Sequence, residues 1–442
     1  MNINKFFQKT EFIKKNPRLK ENIFYQIFNF AIKIVNQIFF PVLMIYFFGG
    51  NIFGIWIIIY TIVLTINSLN FNIVEVSKNI MIGLHEEKKN TELNLIYSNY
   101  IIAHSVNFIF FIITSIIIYF LLDFNSYLYQ DLKLNSLKIC FLFVIFGFFI
   151  ENITLVYYPI LTFKGLTKKW INQSTLFEFY SKVLLIFSVV FNDFLYLGFF
   201  FLLANILRLI LIIFLKNKEN IHNIKFEIKL VKKNVLKELI LKSLSYSLEK
   251  LNYILKQNGL ILMIGYFFSP ILVTMISTAR TLFYYLPINF FDIITKPAVI
   301  EFGKLKSSAS NGIRNLLKKF LFLILIFSII YLLAANLFGK YIYDFWIDND
   351  LINLTRITIF LISIDAILIG LVNILFVPFK AFNNFFFLSK IDFCFTVIAI
   401  LIAFYLSLFF NSLNLILLIM AIFHLMLFFF LKFIIPSEIR KL

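Results

Sequence analysis

Twelve apolar stretches between residues 22 and 431 constrain the fold of this chain more than any other feature of its sequence. Each is roughly 18 to 29 residues long, and an α-helix of that length, at about 1.5 Å per residue, suits a hydrocarbon core of about 30 Å. Backbone polar groups inside a bilayer must be satisfied within their own segment, which favours helices. The sequence therefore predicts an all-α polytopic membrane protein with about twelve transmembrane helices. The predicted spans are 22–47, 53–77, 94–122, 137–162, 172–190, 195–215, 239–266, 271–295, 320–338, 354–378, 391–409 and 414–431.

Basic residues divide the connections between these spans into two classes. Thirty of the 41 Lys and Arg residues lie in the two termini and in every second connection, whereas the alternate connections hold only Lys133 and Lys340. The positive-inside rule therefore places both termini in the cytoplasm. This partition also accounts for the net charge of +18, because basic segments beside spans face anionic lipids. We expect membrane lipids, and no nucleic acid, as partners of these segments.

The longest basic connection, residues 216–238, separates six spans from six. It predicts an N-terminal lobe of residues 1–215, a cytoplasmic linker, and a C-terminal lobe of residues 239–442. The two lobes are in register, since aligning their first spans places Lys33 on Lys250. Parallel repeats of this kind are typical of transporters that hold their substrate at the midplane between two bundles.

Charged and amide side chains inside the spans mark the candidate substrate site. A charge at the centre of a membrane helix costs about 2.5–3.5 kcal/mol on insertion scales, so it persists where it pairs or lines a wet cavity. Polar residues of the first span recur at spacings of three and four and so share one helix face. If the cations of both halves converge, they favour an anion, because Arg suits bidentate phosphate contacts and Lys supplies a point charge. Mutual pairing within the bundle is the alternative. The candidates are Asn29, Lys33, Asn36, Lys250, Lys256 and Arg280.

Further charged residues occupy equivalent positions in the two halves. Glu151 and Asp365 lie near the middle of the fourth and tenth spans, where they either balance the lysines or bind a coupling cation. Another four lie at the cytoplasmic ends of the second and eighth spans, where they either pair at the helix end or form an inner gate. These four are Glu75, Lys78, Asp292 and Lys296.

Motifs of catalysis are missing from the sequence. It contains no G-x-x-x-x-G-K-[ST] phosphate loop, no H-E-x-x-H metal motif and no nucleophile elbow. Its four His and two Cys residues show no spacing typical of metal ligands. We therefore predict no metal, no cofactor and no enzymatic activity. Energy for transport would come from an ion gradient, the substrate gradient or a partner.

Two short motifs resemble a known family. The segment Phe48–Trp56, FGGNIFGIW, is similar to the glycine-containing hairpin and F/Y-G-x-W helix start of polysaccharide flippases of the O-antigen (Wzx) type. These flippases belong to a superfamily that includes the multidrug-extrusion (MATE) transporters. The stretch Thr278–Leu282, TARTL, resembles the eighth helix of the family with its basic residue.

This resemblance implies a MATE-like fold of two six-helix lobes in a V shape. It also implies alternating access that moves a polyprenyl-diphosphate-linked oligosaccharide across the bacterial cytoplasmic (inner) membrane, for O-antigen or other surface polysaccharide. The central cations would hold the diphosphate, and polysaccharide assembly proteins would be partners. A MATE-like cation-coupled antiporter of drugs or metabolites is the alternative, and a membrane polysaccharide polymerase or ligase is a less favoured one.

Overall fold

All regular structure in the described part of the chain is helical. A computed structural model describes residues 17–68, 72–86, 89–124, 132–161, 167–191, 193–218, 225–303, 310–347, 354–382, 385–410 and 412–438. The helices before the predicted linker are α1 (Pro17–Ser68), α2 (Ile73–Glu86), α3 (Asn90–Leu121), α4 (Leu134–Leu155), α5 (Tyr158–Leu161), α6 (Thr167–Phe187) and α7 (Leu195–Lys218). Those that follow are α8 (Lys233–Ile254), α9 (Leu260–Phe267), α10 (Pro270–Arg280), α11 (Leu286–Gly303), α12 (Ser310–Trp346), α13 (Arg356–Ala381), α14 (Phe386–Ser407) and α15 (Leu413–Glu438).

The prediction of an all-α polytopic membrane protein is confirmed. Ten helical stretches of the described chain are long and apolar enough to cross a membrane, compared with twelve predicted spans. The difference arises at two places. One stretch, Ile34–Ser68, covers parts of the first two predicted spans. The predicted span 239–266 is divided among α8, a π-helical turn and α9. The total of twelve and the cytoplasmic termini stay predictions.

A glycine interrupts α1 inside the motif that resembles a hairpin. Gly49 has φ 78° and ψ 159°, whereas the residues on either side are helical. A positive φ is strained for residues with a Cβ, which is why glycine suits this position. The boundary between the first two predicted spans therefore lies where the sequence places it.

The first compact unit contains the described parts of residues 1–43 and 70–243. In it α4 and α6 both pack against α7, and α2 packs against α3. Its core includes Tyr100, Trp170 and Ile212. The end of the linker is bound to α3 through the backbone: Lys232 N donates to Asn99 Oδ1 (2.9 Å), and Asn99 Nδ2 donates to the Leu230 carbonyl oxygen (3.1 Å).

The second compact unit contains the described parts of residues 44–69 and 244–442. Its central helix is α13, which packs against α11, α12 and α15 and is buried along most of its length. The core around it includes Phe291 and Phe302, together with Leu375 of α13 itself. By contrast, α12 exposes large apolar side chains, as expected of a helix face directed toward lipid.

Residues 44–69 join the second unit because the end of α1 packs closely on α10. Thr274 Oγ1 donates to the Gly50 carbonyl oxygen (2.6 Å). A Cβ on Gly54 would lie 1.9 Å from the Pro270 carbonyl oxygen, so only glycine allows this approach. The compact units therefore differ from the predicted lobes in residues 44–69, which belong to the second unit, and in the linker and residues 239–243, which belong to the first. The division into two six-helix lobes stays a prediction.

Candidate functional site

A polar cavity of about 350 Å³ lies inside the second unit. Its walls come from α8, the π-helical turn Leu255–Gly259, α11, α13 and α14. The lining combines apolar side chains with charged, amide and hydroxyl groups. Polar groups within membrane helices are costly unless they bind a ligand or pair with one another. This cavity, which gathers several of them, is therefore the best candidate for a functional site in the described chain.

Two ion pairs stand in the cavity wall. Lys256 Nζ lies 2.7 Å from Asp392 Oδ1, and only 5% and 12% of the two side chains are exposed. Lys380 pairs with Glu249, with both side chains partly exposed. The four groups together carry no net charge. Removing one partner of a pair as buried as the first costs about 3–5 kcal/mol, since it leaves an uncompensated charge.

Sequence reasoning predicts Lys256 as part of a cationic cavity formed by both halves, whereas the structure places it in the wall of the second unit's cavity, paired with Asp392. Sequence reasoning does not predict its partner Asp392 or the second pair, Glu249 and Lys380. Asp392 lies at the start of the eleventh predicted span, and Lys380 lies just beyond the end of the tenth. Both therefore resemble ordinary helix-end charges, and only the fold brings them to the same cavity.

Three asparagines add amide groups to the polar lining. Asn252 is 4% exposed, and its Oδ1 has no hydrogen-bond partner within the described chain. Asn289 on α11 and Asn373 on α13 line the same cavity and are half-buried. An amide both donates and accepts hydrogen bonds, so these groups suit a ligand that does the same.

Arg280 is buried against the backbone behind the cavity wall, with 1% of its surface exposed. Its Nη1 donates to the Gln257 carbonyl oxygen (2.5 Å), and Nη2 lies 3.5 Å from the Lys256 carbonyl oxygen. Its guanidinium also lies 4.3 Å from the ring centre of Tyr284. A π-helical turn disturbs the regular hydrogen-bond ladder of a helix, and Arg280 supplies donors to two of its carbonyls. The structure therefore brings Arg280 and Lys256 together, but through the backbone.

The other predicted substrate residues are distributed along α1 and α8. Lys250 lies on α8 and is half-buried. Asn36, in the first unit, donates from Nδ2 to the Glu178 carbonyl oxygen (2.8 Å). The side chains of Asn29 and Lys33 lie outside the part of the structure that is described. Their role in substrate binding stays a prediction.

Glu151 and Asp365 each have a charged or titratable partner within their own unit. Glu151 Oε1 lies 3.2 Å from Arg208 Nη1, and the Arg208 guanidinium lies 4.6 Å from the ring centre of Phe177. Asp365 Oδ1 lies 2.6 Å from His424 Nδ1, and both residues are buried. These contacts fit the charge-balancing alternative, although the partners are not the lysines named by sequence reasoning. A role in ion coupling stays a prediction.

Of the four residues of the predicted inner gate, the structure describes the side chains of Glu75 and Lys78. Lys78 pairs with Glu75 on α2, and its Nζ lies 3.4 Å from Tyr158 Oη. Burial opposes the charge of Lys78, but the contacts with Glu75 and Tyr158 outweigh it and raise the pKa of Lys78. Asp292 and Lys296 lie on α11, but their side chains are outside the described residues. The pairing of Glu75 and Lys78 occurs within one helix, and gating stays a prediction.

Solved structures of transporters share this fold. An inward-facing multidrug resistance MATE family transporter of the MOP superfamily superposes with a TM-score of 0.69 at 10% identity, covering 93% of this chain and 96% of that one. The lipid II flippase MurJ in an inward closed conformation gives 0.67 at 15% identity, covering 95% and 90%. The MATE multidrug transporter DinF-BH gives 0.67 at 12% identity, covering 94% of each chain. No protein-family model and no curated protein matches the sequence. The chain thus has the fold shared by MATE transporters and the lipid II flippase MurJ.

Proposed function

We propose that the protein is a flippase. It translocates a polyprenyl-diphosphate-linked oligosaccharide across the bacterial cytoplasmic (inner) membrane by alternating access, for O-antigen or another surface polysaccharide. The observation that carries this proposal is the cavity lined by ion pairs and amides, which lies within a unit whose core is mainly apolar. A carbohydrate headgroup needs hydrogen-bonding walls of this kind. The similarity in fold to a lipid II flippase supports a lipid-linked cargo.

The apolar outer surface of α12 suits the lipid part of such a cargo. Phe322, Ile330 and Phe345 are among its exposed side chains. A polyprenyl chain is about as apolar as the acyl chains that it displaces, so it can stay in the bilayer while the headgroup moves. Membrane lipids and the lipid-linked oligosaccharide are therefore the proposed partners, and polysaccharide assembly proteins would take up the product.

Among the predicted cations, Lys250 is the proposed diphosphate contact in the second unit. It lies on α8 next to Glu249 and is half-buried, but it is not one of the residues that line the cavity. Lys33 is its equivalent in the first half of the sequence and has the corresponding proposed role. For Lys256 and Arg280 the proposed role is to stabilise the cavity wall, through Asp392 and a backbone carbonyl oxygen respectively.

A cation-coupled antiporter of drugs or metabolites is the second candidate. The buried contact between His424 and Asp365 favours it. Histidine changes its charge near neutral pH, and a titratable pair inside a membrane bundle can take up and release a proton during a transport cycle. This pair would then supply the coupling step, and the cavity would hold a different cargo.

Deletion of the gene in its native bacterium separates the two candidates. For a flippase, we expect lipid-linked oligosaccharide to accumulate on the cytoplasmic side and the surface glycan to fall, with both restored by a plasmid copy. Extracted lipid-linked glycans are quantified by mass spectrometry. Normal amounts of both glycans, together with increased sensitivity to cationic drugs, would instead support the antiporter.

A further inference from the structure

We propose that the cavity of the second unit is a carbohydrate subsite that binds uncharged sugar residues of the cargo and excludes its diphosphate. This inference rests on the proposed function and names the part of the substrate that the cavity recognises. Three properties carry it: the balance of charges in the wall, the amide groups beside them, and the size of the space.

The charges of the wall cancel one another. Lys256 is 2.7 Å from Asp392, and Lys380 is paired with Glu249. A diphosphate that approached either lysine would also meet the carboxylate beside it, and an incoming cation would meet the lysine. Separating the Lys256–Asp392 pair in this enclosed setting is unfavourable. A ligand without charge meets neither penalty.

The amides of the wall match hydroxyl groups. Asn252 is 4% exposed, and its carbonyl oxygen accepts no hydrogen bond within the described chain. That oxygen is itself enclosed, so the amides that a ligand can reach are the half-buried Asn289 and Asn373. Asn289 and Asn373 face the same cavity from α11 and α13. A sugar ring presents several hydroxyls, each able to donate and accept, as amides do.

The size and shape of the cavity limit the ligand to a small part of an oligosaccharide. Its volume of about 350 Å³ is near the lower end of small-molecule sites, which measure about 300–1,000 Å³. Tyr253 also lines the cavity and is 52% exposed, so its ring can cover the C–H face of a sugar. One or a few sugar residues, rather than the whole chain, would occupy the site.

Binding to full-length protein in lipid nanodiscs tests the subsite. The probes are the water-soluble oligosaccharide released by mild acid from the lipid-linked glycans of the native host, and inorganic pyrophosphate. We expect saturable oligosaccharide binding that Asn373→Leu and Asn289→Leu each weaken about tenfold or more, and no competition by pyrophosphate. The matched control is Asn336→Leu, whose amide donates to the Leu332 carbonyl oxygen on α12, outside the cavity. It should change affinity less than about twofold.

Three results would overturn the subsite: no oligosaccharide binding by the wild-type protein, unchanged affinity in both cavity variants, or displacement of the oligosaccharide by pyrophosphate. Unfolding midpoints of all variants identify any that lose binding only through misfolding. The gene deletion experiment distinguishes failure of the subsite from failure of the proposed flippase function. If deletion accumulates the lipid-linked glycan while both cavity variants bind and export normally, the subsite alone is wrong. If deletion has no effect on either glycan, the flippase itself is wrong.

Discussion

Asp392 Oδ1 lies 2.7 Å from the ammonium of Lys256, and both side chains are almost completely enclosed. They come from α14 and from the π-helical turn after α8, far apart in sequence. Because neither charge has access to much water, each depends on the other. The pair therefore ties two helices of the cavity wall together.

Removing one charge of this pair should destabilise the protein more than removing both charges. We expect Lys256→Met or Asp392→Leu alone to lower the free energy of unfolding by about 3–5 kcal/mol, and the double variant to recover most of the loss. Unfolding midpoints in detergent form a double-mutant cycle that measures this coupling. Additive effects of the two substitutions would argue against a dependent pair.

Arg280 should not be replaceable by lysine. Its guanidinium reaches two carbonyls and lies over Tyr284, whereas an ammonium offers only a point charge. Arg280→Lys and Arg280→Ala should each lower the free energy of unfolding by about 1–3 kcal/mol, because buried acceptors lose their donors. Lys242→Ala is the control, since its pair with Glu238 is exposed. An Arg280→Ala protein with normal stability and no export would instead indicate a role in substrate binding.

Gly54 should resist even the smallest side chain. An alanine methyl there would overlap the Pro270 carbonyl oxygen at 1.9 Å, and a backbone atom cannot easily move away. We expect Gly54→Ala to reduce the yield of monodisperse protein and to lower its unfolding midpoint. Gly339→Ala is the milder comparison, because its methyl would meet only side chains at 3.0–3.3 Å. Equal stability of the two variants would contradict the close packing of α1 on α10.

Lys33 should matter for its charge. Because the proposed role is contact with a diphosphate, Lys33→Ala is expected to abolish surface-glycan export at normal protein abundance, and Lys33→Arg to retain part of it. Immunoblots of membranes and quantified surface glycan measure the two properties together. Full export by the alanine variant would remove Lys33 from the site.

The connection between residues 339 and 353 should be accessible from outside the cell. It follows an odd-numbered span and contains only one basic residue, Lys340. A cysteine introduced there should react with a membrane-impermeant maleimide in intact spheroplasts, whereas one in residues 216–238 should react only after lysis. Labelling in the reverse sense would overturn the predicted orientation.

Apolar length was enough to predict the helical class and most helix positions, because a bilayer permits few other structures. The break at Gly49 also follows from the sequence, since two adjacent glycines interrupt an apolar run. Partners within the cavity could not be predicted in the same way. Lys256 and Asp392 are 136 positions apart, and no local pattern relates them.

The π-helical turn at Leu255–Gly259 explains the other difference between expectation and structure. Composition does not mark such a turn, so its contacts with Arg280 could not be predicted from the sequence. The sequence therefore predicts Arg280 as a substrate-binding cation without its backbone contacts, and that role stays a prediction. Similarly, the grouping of residues 44–69 with the second unit depends on contacts with α10 that lie far along the chain.

The attachment of linker residues 227–232 to α3 depends on the main chain of the linker. Glu227 N donates to Ser98 Oγ (3.0 Å), and the amide of Asn99 bonds the main chain at Leu230 and Lys232. All three bonds use only backbone atoms of the linker. Exchange of its side chains therefore leaves the bonds in place, whereas proline at 227 or 232 removes a donor. The side chains that hold residues 227–232 in position belong to α3. Substitutions that change the charge of this segment therefore leave these hydrogen bonds intact.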